Sequence, residues 1–67
     1  MQLGETIKRR RAKLGITQID LAEMAQVGAS TVKDIERDKG NPSLSTITKL
    51  LDILGLEIIY RVRKTDE

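Results

Sequence analysis

The side chains of this chain that could do chemistry are mostly charged, and their signs are unevenly distributed. The 67 residues carry 12 basic and 10 acidic side chains, for a net charge of +2. Residues 5–13 are strongly basic, with Glu5 as their only acid, whereas acidic residues prevail in 20–38 and basic residues return at 61–64. The basic stretches suit a polyanionic partner, although a solvated helix face would have the same composition.

The chain lacks the residue types on which most catalytic and metal sites depend. It contains no cysteine and no histidine, which excludes disulfides, thiolate or imidazole metal sites, and nucleophiles activated by a histidine base. Its five glycines occur singly, so no glycine-rich loop cradles a phosphate. We therefore expect no enzyme, no metal site and no cofactor.

The apolar residues recur at helical spacing and predict four short helices that would position the polar side chains. The first is predicted over residues 3–14 and the third over 29–38. Thr17 and Asp20 resemble a capping box at the start of a short second helix. Ser43 can cap a fourth helix, which Gly55 ends. The predicted fold class is therefore all-α, with a helical body over residues 3–55.

Residues 56–62 change to a period of two and predict the only β-strand of the chain. A lone strand leaves its backbone unpaired, and the simplest partner is the same strand of a second copy. A frayed terminus is the alternative, which the alternating β-branched and aromatic residues disfavour. We also expect three small helices to leave part of the apolar stripe on helix four uncovered. The sequence thus predicts a homodimer with an interface formed by Leu51, Leu54, Leu56, Ile58, Tyr60 and Val62.

The second and third predicted helices are joined by only three residues, Gln26-Val27-Gly28. Small residues, Ala22 and Ala25, stand where the two helices would cross. Two helices joined in this way form a helix-turn-helix unit, which presents its second helix clear of the body. The major groove of double-stranded DNA, about 12 Å wide, accepts such a helix.

The motif of this unit extends over most of the chain. It comprises Gly15-Ile16-Thr17-Gln18-x-x-Leu21-Ala22, Val27, Thr31-Val32, Ile35-Glu36, Gly40 and Pro42-Ser43-Leu44. Over residues 3–55 the chain resembles the Xre family of phage repressor and Cro-type helix-turn-helix proteins. The resemblance implies a small lambda-repressor-like domain that binds a palindromic operator as a homodimer. The strand after helix four is similar to the HipB-type branch, whose antitoxins dimerise through such strands and bind a toxin kinase.

The resemblance assigns roles to individual residues. Gln18 matches a glutamine that contacts phosphate and supports recognition side chains, and Thr31 matches a phosphate-contacting hydroxyl. Arg11 and Glu36 match a partly buried salt bridge between helices one and three, which implies a structural role. The complete set of expected DNA contacts is Gln18, Gly28, Ala29, Ser30, Thr31, Lys33, Asp34, Lys39, Asn41 and Arg10.

Several residues depart from the family pattern. Gln26 occupies the position where the family has a glycine in the turn, so we expect a strained left-handed backbone there. Ala29 and Ser30 are too short for bidentate contacts with a purine, although Ala29 could touch a thymine methyl group. Asp34 would repel phosphate but could accept from cytosine N4, which leaves Lys33 as the one long cation on the face. We therefore expect contacts with the DNA backbone to supply part of the affinity.

Three functions remain open at this point. The first is a dimeric, sequence-specific repressor; the second is an antitoxin that represses its own operon and neutralises a toxin, for example one of HipA type. The third is a protein-interaction module that keeps the fold without binding DNA. No apolar run approaches the roughly 20 residues of a membrane span, and no signal peptide follows Met1. We expect a single domain over residues 1–67, in a cytoplasmic protein without membrane contact.

Overall fold

The computed structural model describes residues 3–63, which fold into four helices. They are α1 (Leu3–Leu14), α2 (Gln18–Ala25), α3 (Ala29–Glu36) and α4 (Leu44–Leu54). The prediction of an all-α domain is therefore confirmed. Helix α3 ends two residues before the predicted position, because Asp38 adopts a left-handed backbone with φ of 57°. No helix in the described part of the chain is long and apolar enough to cross a membrane.

The helix ends follow from local sequence. The Thr17 hydroxyl accepts from the backbone N–H of Asp20 at 3.0 Å, and the Asp20 carboxylate accepts from the backbone N–H of Thr17 at 2.9 Å. This capping box satisfies two donors at the start of α2 and lowers the pKa of Asp20, chiefly through the backbone hydrogen bond. At the start of α4 the Ser43 hydroxyl accepts from the N–H of Thr46 at 3.1 Å.

The core lies where the four helices meet. Among the residues of α4, Leu50, Leu51 and Leu54 are 0%, 5% and 1% exposed. The expectation that part of this stripe needs a second copy to cover it was therefore wrong for these three leucines. Helix α4 packs against both α1 and α2, so these leucines are covered by helices of the same chain. Leu51 and Leu54, which we placed at a dimer interface, belong to the core of a single chain, which comprises Ile7, Leu21, Ala22, Ala25, Val32, Ile35, Leu50, Leu51 and Leu54.

The segment after α4 differs from the prediction. Residues 56–63 form no β-strand in the structure, so the strand predicted over 56–62 is not supported. A strand is defined by hydrogen bonds to a neighbouring strand, and the described part of this single chain contains no other strand to pair with. Leu56 packs against the core, whereas Tyr60 and Val62 are 77% and 95% exposed.

Helices α1 and α3 approach closely at Gly4. A Cβ atom at this position would lie 2.5 Å from the carbonyl oxygen of Ile35 and 2.7 Å from that of Glu36. The backbone N–H of Gly4 donates to the Asp38 carboxylate at 3.2 Å. The absence of a side chain at Gly4 therefore lets the start of α1 lie against the end of α3 and hold it.

Candidate nucleic-acid interface

The turn between α2 and α3 sets the angle of α3. Gln26 has φ of 59° and ψ of 44°, the left-handed conformation that the sequence predicted. The backbone N–H of Val27 donates to the carbonyl of Ala22 at 2.9 Å, which closes the turn. Gly28 begins α3 in an extended conformation and contributes no side-chain cap. The turn positions α3 against the small residues Ala22 and Ala25, which are 3% and 6% exposed.

Helix α3 has a buried face and an outward polar face. Val32, Ile35 and Glu36 are buried, and Ala29 packs partly against the core. Ser30 and Lys33 are exposed, whereas Thr31 and Asp34 are half-buried. Because successive helical residues are rotated by about 100°, Ser30 and Asp34 lie near the middle of the outward face, with Lys33 and Thr31 on either side. The structure thus brings five predicted contact residues onto one short helix, namely Ala29, Ser30, Thr31, Lys33 and Asp34.

The predicted pair Arg11 and Glu36 lies behind this face. Arg11 Nε is 2.7 Å from Glu36 Oε2, and Arg11 Nη2 is 3.1 Å from Glu36 Oε1. Arg11 Nη1 also donates to the carbonyl of Ile16 at 2.9 Å. The two side chains are only 15% and 2% exposed. This bidentate ion pair connects α1, the segment before α2 and the end of α3, which is the placement expected of a structural element.

Gln18 completes the same network. Its Nε2 donates to Glu36 Oε1 at 3.0 Å. Burial alone would raise the pKa of Glu36, but hydrogen bonds from Arg11 and Gln18 outweigh it and hold that pKa below its usual value. The hydrogen bond to Glu36 raises the pKa of Arg11 in turn. Both partners are therefore charged at neutral pH, and Nε2 of Gln18 keeps a second hydrogen that points to no described acceptor.

A shallow hollow of about 170 Å³ lies beside the outward face of α3. Its lining includes four predicted contact residues: Thr31, Asp34, Lys39 and Asn41. The backbone N–H of Lys39 donates to the carbonyl of Asp34 at 2.7 Å, which holds the loop after α3 close to the helix. The hollow thus combines the Thr31 hydroxyl, the Asn41 amide and the Lys39 cation, which suit a phosphate group, with the Asp34 carboxylate, which repels one.

Arg10, which was also predicted to contact DNA, contacts the end of α4 instead. Its Nε donates to the carbonyl of Leu54 at 2.7 Å, at the end of α4. The carbonyl groups of a helix C-terminus carry partial negative charge and lack partners within the helix, so a cation stabilises them. The structure therefore gives Arg10 a role as a cap of α4. Sequence reasoning missed this because the two residues are 44 positions apart.

Arg37 is the residue that sequence reasoning missed on the outward face. Its Nη2 lies 3.0 Å from Asp34 Oδ1, and the two side chains are 68% and 46% exposed. The expectation that Lys33 is the one long cation here was wrong. The backbone N–H of Arg37 donates to the carbonyls of Lys33 and Asp34, so that Arg37 continues the last turn of α3 and lies on the same face. The spacing of three residues between acid and base was a signal that could have identified the pair.

An apolar groove lies on another surface, between the start of α1, the start of α4 and the segment after α4. It encloses about 370 Å³ and is lined by Leu3, Thr6, Leu44, Ile47, Leu51, Leu56, Glu57, Ile58 and Ile59. Leu44 and Ile59 are 57% and 78% exposed. Of the predicted interface residues, Leu51, Leu56 and Ile58 line this groove, while Tyr60 and Val62 lie on the exposed segment beyond it.

Comparison with known proteins gives the context of this geometry. A family sequence model described as helix-turn-helix matches residues 7–60. The chain is 43% identical over 58 residues to an immunity repressor protein of Bacillus phage phi105, covering 87% of this chain and 40% of that protein. It is 32% identical over 66 residues to the HTH-type transcriptional regulator ImmR of Bacillus subtilis (strain 168), covering 98% of this chain and 52% of that protein. It is 34% identical over 67 residues to the HTH-type transcriptional regulator PuuR of Escherichia coli (strain K12), covering 96% of this chain and 36% of that protein. The chain thus spans about half or less of the length of these relatives.

Proposed function

The chain belongs to the helix-turn-helix family, and on that premise we propose that it is a sequence-specific repressor that binds double-stranded DNA. Membership of the family confirms the resemblance expected from the sequence. The observation that best supports the proposal is the polar outward face of α3, supported from behind by the network of Arg11, Glu36 and Gln18. A relative named as an immunity repressor supports it from a second direction. The function proposed is regulatory rather than enzymatic, and the location proposed is the cytoplasm.

The bases would be read by α3 lying in the major groove. Ser30 and Lys33 are exposed on its outward face and reach base edges or phosphate from there. Ala29, beside Gly28 at the start of the helix, presents a methyl group suited to a thymine methyl. Asp34 is suited to accept a hydrogen bond from the N4 amino group of cytosine. Because two of the four side chains are short, α3 alone offers few base contacts.

The phosphates would be bound on both sides of α3. Gln18 has a second hydrogen on Nε2 and stands at the start of α2, where the helix dipole attracts an anion. Thr31, Lys39 and Asn41 line the hollow beside α3 and supply a hydroxyl, a cation and an amide, which would together outweigh the Asp34 carboxylate in the same hollow. Phosphate contacts fix the orientation of a protein on the duplex without reading sequence, so these four residues would set how α3 enters the groove.

We place the homodimer at the apolar groove and the segment after α4. Ile58, Tyr60 and Val62 are large side chains that are 39%, 77% and 95% exposed in the single chain. Pairing residues 56–62 with the same segment of a second copy would satisfy their backbone and cover these side chains. A palindromic operator would require the two-fold axis of this dimer to set two α3 helices about 34 Å apart. Ile58→Glu is expected to give monomers in light scattering, and a persistent dimer would refute this interface.

A second candidate function is that of an antitoxin. The observation that favours it is the exposed apolar surface of Ile59, Tyr60 and Val62, which would suit a protein partner. The test is co-expression with the product of the adjacent gene. A stoichiometric complex that Tyr60→Glu disrupts, together with relief of growth inhibition, would support this function. The antitoxin function would be refuted if the dimer binds DNA fully without the product of the adjacent gene and never forms a complex with that product.

Fluorescence anisotropy tests the proposed function directly. The protein is titrated against the duplex upstream of its own gene and against a scrambled duplex, at several salt concentrations. We expect tighter binding to the first duplex with two protomers per site, and an affinity that falls steeply with salt because bound phosphates release counterions. Lys33→Ala should weaken binding, whereas Lys49→Ala, an exposed lysine on α4, should change it little. No binding to either duplex at low salt would refute the proposal and favour a protein-interaction module.

A further inference from the structure

The most prominent feature of the outward face of α3 is an ion pair that the proposed base contacts do not explain. Arg37 Nη2 lies 3.0 Å from Asp34 Oδ1. Ser30, Asp34 and Arg37 stand four and three residues apart, so they form one row along the middle of this face. The pair lies on the part of the molecule that would be nearest to the floor of a DNA groove.

The Asp34 carboxylate is held on one side and open on the other. Oδ1 receives the hydrogen bond from Arg37, and no described group donates to Oδ2. A Cβ atom at Gly40 would lie 3.9 Å from Oδ2 and 3.6 Å from the Asp34 Cβ. Since Gly40 has no side chain, nothing larger closes that side of the carboxylate. Oδ2 is therefore an acceptor without a described donor, in a side chain that is 46% exposed and that Arg37 restrains through Oδ1.

A lone carboxylate on this face would be unfavourable for a DNA-binding helix. It would repel the phosphates on both sides of the groove, and its rotamer would be unrestrained in the free protein. Arg37 changes both properties, because its charge offsets that of Asp34 and its hydrogen bond restricts the carboxylate. The major groove presents two amino donors, adenine N6 and cytosine N4, and of these cytosine N4 is the one that aspartate usually pairs with.

We infer that Asp34 and Arg37 act together to read a C·G base pair, with Asp34 Oδ2 accepting from cytosine N4 and Arg37 holding Asp34 in place. This inference rests on the proposed function. Arg37 is a positioning residue, since it acts through the carboxylate that it holds. The unit compensates for the short side chains of Ala29 and Ser30, which leave much of the face without long hydrogen-bonding groups.

A matched control exists on α1. Arg9 Nε lies 2.8 Å from Glu5 Oε2, and these side chains are 79% and 50% exposed. This second exposed pair has similar spacing and the same change in charge on substitution. It is on a helix to which we assign no base contact. Arg9→Ala therefore removes one positive charge and one exposed ion pair, as Arg37→Ala does, without changing the contacts of Asp34.

The experiment is selection of bound duplexes from a library with a randomised 20-base-pair centre, followed by sequencing and affinity measurements. The wild-type protein is expected to select C·G at one position of each half-site, with discrimination of about tenfold or more over other pairs. Asp34→Asn and Arg37→Ala should both lose the preference at that position and keep it at the others. Arg37→Lys, which can still pair with Asp34, should retain much of it, and Arg9→Ala should select the wild-type sequence. Thermal unfolding of all four variants verifies that they are folded.

Three results would overturn the inference. The first is an unchanged selected sequence for Arg37→Ala with uniformly weaker binding, which would make Arg37 a phosphate contact. The second is a preference at the Asp34-dependent position for a base pair other than C·G. In both cases the proposed function would stand, since the wild-type protein still enriches a sequence. Failure of the wild-type protein to enrich any sequence would overturn the proposed function and the inference together.

Discussion

Replacing Arg11 with methionine tests whether the network behind α3 holds the fold together. Methionine has a similar length but no charge and no donors, so the substitution removes the two hydrogen bonds to Glu36 and the one to Ile16. Glu36, whose side chain is 2% exposed, would keep its charge with Gln18 as its only hydrogen-bond partner. Removal of one partner of a buried pair costs about 3–5 kcal/mol, because the other charge is left uncompensated.

The expected magnitude lies near the lower end of that range. Arg11 is 15% exposed, so water can reach part of the space it leaves. We therefore expect Arg11→Met to lower the free energy of unfolding by about 3 kcal/mol. A domain of this size has a total stability of about 3–10 kcal/mol, so the variant would be close to its unfolding threshold. The measurement is urea denaturation followed by circular dichroism at 222 nm, at about 10 °C, near the usual temperature of maximum stability.

A double-mutant cycle distinguishes the pair from other effects of the substitution. Arg11→Met with Glu36→Leu removes both charges, and apolar replacement of a buried pair is often neutral or stabilising. The double variant should therefore be more stable than the sum of the single substitutions predicts, by at least about 1.5 kcal/mol. Arg9→Met, which breaks the exposed pair with Glu5, should cost less than about 1 kcal/mol. Equal losses for Arg11→Met and Arg9→Met, or strictly additive single substitutions, would refute the argument that the buried pair is a coupled unit.

Three further outcomes follow from other contacts. Because the folded-state pKa of Glu36 is lowered, its ionised form contributes fully to stability above its ordinary pKa, and this contribution is lost as pH falls through the folded-state pKa. The difference in free energy of unfolding between the wild-type protein and Glu36→Gln, measured by urea denaturation, should therefore shrink as pH is lowered from 6 to 3. A difference that stays constant over this range would contradict the argument. Gly4→Ala should lower the melting temperature, at a cost of about 1–3 kcal/mol, because its Cβ would meet the carbonyl of Ile35 at 2.5 Å. Gly28→Ala, whose Cβ has ordinary contacts, is the control, and equal melting temperatures for the two variants would disprove the close approach. Gln26→Gly should raise stability by up to about 1 kcal/mol by relieving the left-handed backbone, and a lower melting temperature would show that the side chain matters more than the backbone.

The helices could be predicted from sequence because their signals are local. Thr17 and Asp20 cap α2 within four residues. The left-handed backbone at Gln26 was expected because the family has a glycine at this position. The pairing of Arg11 with Glu36 is not local, and it was accessible only because the motif of a known family carries it. The capping box, the turn at Gln26 and the Arg11–Glu36 pair thus agree with the structure.

The features that the sequence did not predict depend on groups distant along the chain or outside it. Arg10 meets a backbone carbonyl at the end of α4, and no side-chain pattern marks a carbonyl. Leu51 and Leu54 are covered by the way α4 lies across α1 and α2, which apolar spacing alone does not determine. A β-strand over 56–62 requires a neighbour that the described chain does not contain. The Asp34–Arg37 pair is different, because its spacing of three residues was visible.

The supports of α3 all lie on its inward side, and this has a consequence for how the molecule can change. The close approach at Gly4, the Glu36 network and the apolar contacts of Val32 and Ile35 hold α3 from the side opposite its exposed residues Ser30 and Lys33. Exposed substitutions away from such contacts usually alter stability by less than about 0.5 kcal/mol. Duplicated copies of this gene could therefore diverge at the outward positions and acquire new targets while the scaffold remains intact. The same separation makes the chain a suitable starting point for engineering by exchange of a few surface residues.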